Sequence, residues 1–318
     1  MRGEFSIRRA TVACLLLLCL SARGFAQMSA NPAEVMEHIA ALGRNFDPKI
    51  VAATKDIYRP LQPKAPYTHV RVHRDLAYGP DPQNDLDVFV PEPLPSDPLA
   101  VLIFVHGGGF VGGDKNDGVF YDNVGRWAAN HNLIGININY RLAPGASWPS
   151  AIEDIGLAVH WAIQNVAPFG GDPDRIFLMG HSTGATHVAG YLSHPDLQPP
   201  FGAGVAGAIL VSGVYDLKAN PLTENEKKYF GADPSLYAEQ SALASLAQTK
   251  LPLLIAVGGL DTVRAEQQAI MLNKKACEKQ NCPRFLVLPK HSHMSEILAV
   301  NTADKGLTSA ISGFIKAH

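Results

Sequence analysis

Short apolar runs alternate with amphipathic stretches along the chain. The apolar runs are rich in valine and isoleucine, and they predict strands at residues 86–90, 100–106, 133–140, 175–179, 207–212, 253–257 and 284–288. Most are apolar almost without interruption, which is typical of strands covered on both faces. Helical patterns fall between them, at residues 120–130, 149–167, 185–192 and 262–279. This alternation indicates an α/β sheet with helices on both faces.

The first 26 residues have the pattern of a signal peptide. A basic start with three arginines precedes an apolar stretch, residues 10–20, that is too short to cross a bilayer comfortably. Gly24 and Ala26 are the small residues that a signal peptidase requires. We therefore expect the chain to be exported, to the periplasm or out of the cell.

Two other interpretations of the N-terminal segment are weaker. A membrane anchor is disfavoured because residues 21–27 turn polar and small directly after the apolar stretch. A lipid anchor at Cys19 is disfavoured by the run of leucines before it. Residues 27–318 are then expected to form one large domain, with no membrane span after processing.

Charge and cysteine content narrow the class further. The whole chain has a formal charge of −2, and since residues 1–26 hold four arginines and one glutamate, the remainder carries about −5. Lysines and aromatic residues are not interleaved into a basic patch, so we expect no nucleic-acid partner.

Four cysteines are present, and Cys14 and Cys19 fall in the predicted signal peptide. The other two, Cys277 and Cys282, lie close enough to form a disulfide around a short loop in an exported protein. A cysteine metal site is the alternative, but it would need further ligands nearby.

The strongest chemical signal is the sequence GHSTG at residues 180–184. It follows a predicted buried strand and precedes a predicted helix, so Ser182 is expected on a sharp strand-to-helix turn. Its oxygen would then lie exposed near the positive end of the helix. Such a serine is a candidate nucleophile.

A glycine-rich loop, HGGGF at residues 106–110, follows the strand predicted at 100–106. Its glycines leave backbone N–H groups free to point at one oxygen, as an oxyanion hole requires. An ordinary turn or a phosphate loop is the alternative. A phosphate loop would need a lysine followed by a hydroxyl, whereas Lys115 comes late and no hydroxyl follows it.

A serine nucleophile needs a base and an acid that orients the base. Asp261 follows a predicted strand and two glycines, which places it at the carboxyl edge of the sheet; its alternative role is a helix cap. Asp216 is the rival acid. His293 is favoured as base over His291, and the two histidines have no evident third partner for a metal site.

Several motifs together make a family resemblance specific. The sequences HGGGF (106–110), YRLAP (140–144), FGGDP (169–173) and GHSTG (180–184) resemble those of the hormone-sensitive-lipase-like carboxylesterases of the α/β-hydrolase superfamily. SGVYDL (212–217) and HMSE (293–296) are similar to a nearby branch of arylformamidase-like and feruloyl-esterase-like enzymes. The resemblance extends from about residue 86 to the C-terminus.

The resemblance implies an α/β-hydrolase fold, with a mostly parallel central sheet, helices on both faces and a small lid. It implies Ser182 as nucleophile, Asp261 as acid and His293 as base. The oxyanion hole would be formed by Gly108, Gly109 and the N–H of Thr183. The family often has alanine at the position of Thr183, a departure of little consequence because the backbone acts there.

The predicted function is hydrolysis of carboxylic esters through an acyl-enzyme, without cofactor or metal. An arylformamidase-like amidase uses the same motifs and is the first alternative. A binding protein on the same fold is the second, and it is disfavoured because Ser182, Asp261 and His293 are all present.

Substrate size is predicted from the short segment between the late strands, residues 216–251. With the N-terminal helices this segment would form a small lid, which favours small or short-acyl esters as the partner molecules. Phe110, Trp148 and Tyr215 are the residues expected to line the pocket.

Overall fold

The structure is a computed structural model that describes residues 31–200 and 202–318. The predicted signal peptide, with Cys14 and Cys19, lies outside the described residues. The described part contains one eight-stranded sheet. Its strands are β1 (Val70–Ala77), β2 (Asp85–Pro91), β3 (Leu99–Val105), β4 (Ile134–Ile138), β5 (Gly171–His181), β6 (Gly207–Val211), β7 (Leu253–Leu260) and β8 (Arg284–Ser292).

The sheet has the order β1-β2-β4-β3-β5-β6-β7-β8. β2 pairs antiparallel with both β1 and β4, and every other pairing is parallel. The predicted mostly parallel α/β sheet is therefore confirmed. Because parallel strands require crossover connections, the segments between them return over the faces of the sheet, mostly as helices.

The helices of the described residues are α1 (Pro32–Leu42), α2 (Pro48–Tyr58), α3 (Asp122–Asn130), α4 (Ser150–Asn165), α5 (Thr183–Ser193), α6 (Glu224–Phe230), α7 (Tyr237–Gln240), α8 (Leu243–Leu246), α9 (Val263–Glu278), α10 (Ser295–Leu298) and α11 (Gly306–Ala317). The four helices predicted between strands correspond to α3, α4, α5 and α9, with ends that differ by at most two residues. α9 starts after the N-cap Thr262, whose hydroxyl accepts a hydrogen bond from the N–H of Ala265.

Residues on β3 show how the sheet divides the hydrophobic core. Val101, Ile103 and Val105 belong to one cluster of buried side chains, whereas Leu102 and Phe104 belong to another. Since successive residues of a strand point to opposite faces, the two clusters cover the two sides of the sheet. This explains why the strand reads as an unbroken apolar run.

β1 was not predicted, and several strands are longer than their apolar runs indicated. β1 is an edge strand with a half-exposed face, so arginine, histidine and aspartate interrupt its apolar pattern. β7 continues three residues beyond its predicted end through Gly258 and Gly259, and β8 continues four residues through Pro289. These extensions bring Asp261 and His293 to the first positions after their strands.

Two segments flank the carboxyl edge of the parallel strands. One is the N-terminal pair α1 and α2, in which Val35 and Ile39 of α1 pack into the same core cluster as Leu288 of β8. The other is the connection after β6, residues 216–251, which contains α6, α7 and α8. Both are short, consistent with a small lid.

Cys277, in the last turn of α9, and Cys282, just before β8, form a disulfide in the structure. In the described part of the chain, none of the helices is both long and apolar enough to cross a membrane.

Candidate active site

Ser182 occupies a sharp turn between β5 and α5. Its backbone has φ 55° and ψ −121°, a combination that residues with a β-carbon rarely adopt. The turn is held by a hydrogen bond of 2.8 Å from the N–H of Ser182 to the carbonyl of Val211 on β6. At Gly184 a β-carbon would lie 2.1 Å from the carbonyl oxygen of Val105, so only glycine lets α5 approach β3 this closely.

Ser182, His293 and Asp261 form a continuous hydrogen-bonded array. The Oγ of Ser182 lies 2.8 Å from Nε2 of His293, and Nδ1 of His293 lies 2.9 Å from Oδ1 of Asp261. The second carboxylate oxygen lies 3.1 Å from the same nitrogen. With Nδ1 donating to the carboxylate, Nε2 is free to accept the proton of the serine hydroxyl.

Asp261 is fully buried, and hydrogen-bond donors stabilise its negative charge. Ser212 donates to Oδ2 at 2.5 Å, and the N–H of Thr262 donates to Oδ1 at 2.5 Å. Burial alone would raise the pKa of Asp261, but the charge and hydrogen bond of His293, with these two donors, hold that pKa below its usual value. Ser212 was not singled out from the sequence, although it directly follows a strand as Ser182 does.

The alternative acid, Asp216, and the alternative base, His291, interact with other residues. Nε2 of His291 lies 3.2 Å from a carboxylate oxygen of Asp304, and its Nδ1 lies 3.1 Å from the hydroxyl of Ser295. Asp216 accepts a hydrogen bond of 2.9 Å from the N–H of Lys218 and so closes a turn. Neither side chain belongs to the array around Ser182.

The glycine-rich loop lies directly against the serine. A β-carbon on Gly107 would be 3.0 Å from the β-carbon of Ser182. Gly108, with φ 152°, approaches the carbonyl of Gly112 so closely that a β-carbon would lie 1.8 Å from its oxygen. His106 is buried beneath the loop, and its Nδ1 donates to the carbonyl of Gly107 at 2.7 Å.

The surroundings of Lys115 do not fit a phosphate loop. Its ammonium is buried and lies 2.6, 2.8 and 3.2 Å from carboxylate oxygens of Asp75, Asp85 and Asp87. This lysine therefore ties the loop to strands β1 and β2, and its charge is already neutralised by the three carboxylates. The backbone N–H groups of Gly108, Gly109 and Thr183 remain the candidate oxyanion donors.

The three predicted pocket residues lie in an aromatic region beyond the serine. Phe110 is buried, and its ring stacks on Tyr229 of α6 with a centroid distance of 5.4 Å. Trp148 and Tyr215 line a small cavity that also includes Thr186, one turn along α5 from Ser182. Tyr215 is fully buried, and its hydroxyl accepts a hydrogen bond of 3.3 Å from the N–H of Gly213.

A second buried carboxyl, Glu296, lies behind the array and was missed as a site residue. The Glu296 side chain is inaccessible to solvent, and neither of its oxygens has a hydrogen-bond partner among the described residues. Its Oε1 lies 3.4 Å from Nε2 of His181, which donates to the carbonyl of His293 at 2.8 Å. Burial, reinforced by the charge of Asp261, raises the pKa of Glu296 well above its usual value.

His181, His293 and Glu296 have ligand atoms within 4.8 Å of one another, the spacing of a metal site. Both ring nitrogens of His293 already face Ser182 and Asp261, however, and Nε2 of His181 is bonded to a backbone carbonyl. Burial lowers the pKa of His181 to about 4, so this histidine is neutral. His181 and Glu296 are therefore better described as buried residues that support His293, which belongs to the serine array.

The N-terminal segment, whose helices were expected to contribute to the lid, also contacts the array itself. The ring of Phe46, in the loop between α1 and α2, meets the His293 imidazole edge to face with a centroid distance of 4.6 Å. More than two hundred residues separate the two positions in the chain. No local pattern in the sequence signals such a contact.

Comparison with known proteins identifies relatives of this chain. The family model described as BD-FAE matches residues 86–276, which is more than half of the chain. Esterase LipC of Mycobacterium tuberculosis is 29% identical over 252 residues, covering 73% of this chain and 61% of the relative. A probable isoprenylcysteine alpha-carbonyl methylesterase of Arabidopsis thaliana, ICMEL1, is 36% identical over 118 residues, covering 37% and 24%. The chain thus spans less than two thirds of the length of these relatives.

Solved structures share the fold. Esterase B from Lactobacillus rhamnosis superposes with a TM-score of 0.71 at 18% identity, covering 91% of this chain and 96% of the other. An esterase from the archaeon Pyrobaculum calidifontis superposes with a TM-score of 0.63 at 18% identity, covering 98% of each chain. Together with the sheet order, these neighbours establish the α/β-hydrolase fold.

The two candidate acids can be separated by substitution. If Asp261 holds His293 in one tautomer, Asp261→Asn should lower turnover of an ester by about 10⁴, as a wrong tautomer does in serine proteases. Asp216→Asn is the matched control and should change turnover by less than about threefold, because its carboxylate only closes a turn. Steady-state kinetics on both folded variants measure this, and a severe loss in the Asp216 variant would exclude our assignment.

The buried carboxyl of Glu296 predicts a specific dependence of stability on pH. Glu296 keeps its proton in the folded protein but loses it in the unfolded chain above about pH 4.3. Unfolding then releases a proton, so stability falls as pH rises from there towards the raised pKa, by about 1.4 kcal/mol per pH unit for this group. Glu296→Gln removes the titrating group and should flatten the decline.

Urea unfolding of the wild type and Glu296→Gln between about pH 5.5 and about pH 8 measures this difference. The exposed Glu278→Gln on α9 serves as the control and should follow the wild type. Parallel pH profiles for wild type and Glu296→Gln would mean that Glu296 is ionised in the folded protein.

Proposed function

The chain belongs to the BD-FAE family, and we propose that it is a serine hydrolase that cleaves carboxylic esters. The observation that carries the proposal is the unbroken array from Ser182 through His293 to Asp261, with contacts of 2.8 and 2.9 Å. A serine hydroxyl beside a base that is itself oriented by a buried carboxylate is the arrangement that activates it for acyl transfer. The esterase relatives support carboxylic esters as the substrate class.

In the first half of the reaction, His293 takes the hydroxyl proton as Ser182 Oγ attacks the ester carbonyl. The carbonyl carbon becomes tetrahedral, and its oxygen acquires negative charge. The imidazolium of His293, stabilised by Asp261, then protonates the departing alcohol oxygen as the bond to the acyl carbon breaks. The product is an acyl-serine.

The negative oxygen is stabilised by the backbone. The N–H groups of Gly108, Gly109 and Thr183 are proposed to form the oxyanion hole, with Thr183 at the positive end of α5. A donor of this kind contributes about 3 kcal/mol to lowering the barrier. The closeness of Gly107 to Ser182 supports the placement of the glycine loop against the reacting carbonyl.

Water then hydrolyses the acyl-serine, with His293 again acting first as base and then as acid. His293 removes a proton from a water molecule as it attacks the acyl carbon, and it then returns a proton to Ser182 as the acid product leaves. No cofactor takes part in this scheme. All proton transfers pass through Nε2 of one histidine.

Small or short-acyl substrates are proposed because the cover of the site is small. The connection at residues 216–251 contains only short helices, and its aromatic side chains Tyr229 and Phe230 are packed against Phe110. The cavity lined by Trp148 and Tyr215 is correspondingly narrow. Long acyl chains would have to displace this packing.

A hydrolysis panel tests the function. p-Nitrophenyl esters of increasing acyl length, with N-formylkynurenine as an amide, should show turnover that is fastest for acetate and butyrate. Ser182→Ala should lower turnover by about 10⁶ while the fold is retained, and His293→Ala should be nearly as severe. Turnover of the amide but not the esters would favour the amidase alternative. Wild-type activity in folded Ser182→Ala would exclude the mechanism.

We also propose that residues 1–26 are removed on export and that residues 27–318 are the mature catalytic domain. The basic and apolar pattern of the start supports this, as does a disulfide at Cys277–Cys282, a bond typical of oxidising compartments. Expression of the full chain in an export-competent bacterium should give a periplasmic or secreted protein that begins at about Gln27. A cytoplasmic protein with an intact N-terminus would contradict the proposal.

A further inference from the structure

Phe46 is an apolar side chain in an unusual position. It is 52% exposed to solvent, yet its ring meets the imidazole of His293 at 4.6 Å between centroids. An exposed aromatic ring in contact with the candidate base is available to a substrate in a way that a buried ring is not.

The loop that carries Phe46 is fixed at both ends. Gly43 ends α1 with φ 73°, a conformation that suits glycine. Asp47 caps α2, because its carboxylate accepts hydrogen bonds of 2.8 and 3.1 Å from the N–H groups of Lys49 and Ile50. Only three residues lie between these two capped ends, so the backbone that carries the ring is held at both sides.

Arg44 ties the same loop to the segment that delivers Asp261. Its guanidinium donates to the carbonyl oxygens of Gly259 at 2.9 Å and Asp261 at 3.4 Å, and it forms an ion pair of 2.7 Å with Glu266 of α9. α1, which precedes the loop, packs on β8, the strand that delivers His293. The loop is thus anchored to both segments that position the array.

The reaction places the leaving alcohol beside this ring. For His293 to protonate the departing oxygen, that oxygen must lie within hydrogen-bond reach of Nε2, about 3 Å away. The group attached to the oxygen must then extend alongside the imidazole. Water replaces the alcohol in the second half of the reaction, so a ring at this position contacts substrate only during acylation.

We propose that Phe46 is a specificity-determining residue that forms an apolar wall for the alcohol portion of the ester. This inference rests on the proposed esterase function and adds the chemistry of the leaving group. Esters of aromatic or bulky apolar alcohols gain contact with the exposed ring, whereas a methyl ester is too short to reach it. Burial of roughly 50 Å² of apolar surface corresponds to about tenfold in kcat/KM.

Two series of esters separate this role from a general effect. Acetates of methanol and benzyl alcohol vary the alcohol with a constant acyl group, and p-nitrophenyl esters vary the acyl group with a constant leaving group. Phe46→Ala should lower kcat/KM about tenfold for benzyl acetate and less than about twofold for methyl acetate. The ratio between acyl lengths should stay unchanged, and Phe46→Leu should give an intermediate loss.

The deacylation rate provides an independent readout. Burst kinetics with p-nitrophenyl acetate should give the same deacylation rate for wild type and Phe46→Ala, because the alcohol has left. Leu94→Ala serves as the control, since Leu94 is 45% exposed and lies before the amino end of β3, whereas the array lies at the carboxyl ends of the strands. Thermal unfolding of each variant verifies that it is folded.

Three outcomes of these experiments are distinguishable. Equal losses for the methyl and benzyl esters, or a changed deacylation rate, would overturn the role of Phe46 while leaving the esterase function intact. Absence of turnover of every ester by the wild type would overturn both the function and this inference. A loss confined to the bulky alcohol, in acylation alone, supports the proposal.

Discussion

Four neighbouring parallel strands end at one edge of the sheet, and the whole site depends on that alignment. The first residues after β5, β6, β7 and β8 are Ser182, Ser212, Asp261 and His293. Their side chains form one continuous chain of hydrogen bonds, from Ser182 through His293 and Asp261 to Ser212. Because a slip of one residue would turn every side chain of a strand to the other face, the apolar packing that fixes strand register also fixes this polar chain.

Two buried carboxyls near the same histidine have opposite electrostatic states. Asp261 receives hydrogen bonds from Ser212, Thr262 and His293, and these offset the cost of burying its charge. For Glu296, burial and the charge of Asp261 outweigh the opposing effects of His293 and Ser212, so its pKa is raised and it keeps its proton. A single negative charge therefore faces His293. A second would stabilise the imidazolium further and make it slower to release its proton to a leaving group.

Local patterns were enough to predict the buried strands and the serine turn, because period and turn chemistry are local properties of the sequence. The positions of these residues after predicted strands also favoured Asp261 over Asp216 as the acid and His293 over His291 as the base. In the structure, Asp261 and His293 are hydrogen-bonded to each other. Ser212 and Glu296 were missed because their importance comes from partners far away in the chain. β1 was missed because an edge strand with a half-exposed face lacks a continuous apolar run.

The parts of the site differ in how freely they can vary. Three of the strands that deliver the array, β5, β6 and β7, are buried where they approach the site, so a change there disturbs the packed core. The loop with Arg44 and Phe46 lies before residue 86, where the match to the family model begins, and its ring is half exposed. A substitution of Phe46 leaves both buried core clusters intact but alters the surface that meets the leaving group. The sheet thus positions the residues that carry out the reaction. Selectivity for the leaving alcohol depends on segments that can change without unfolding the sheet.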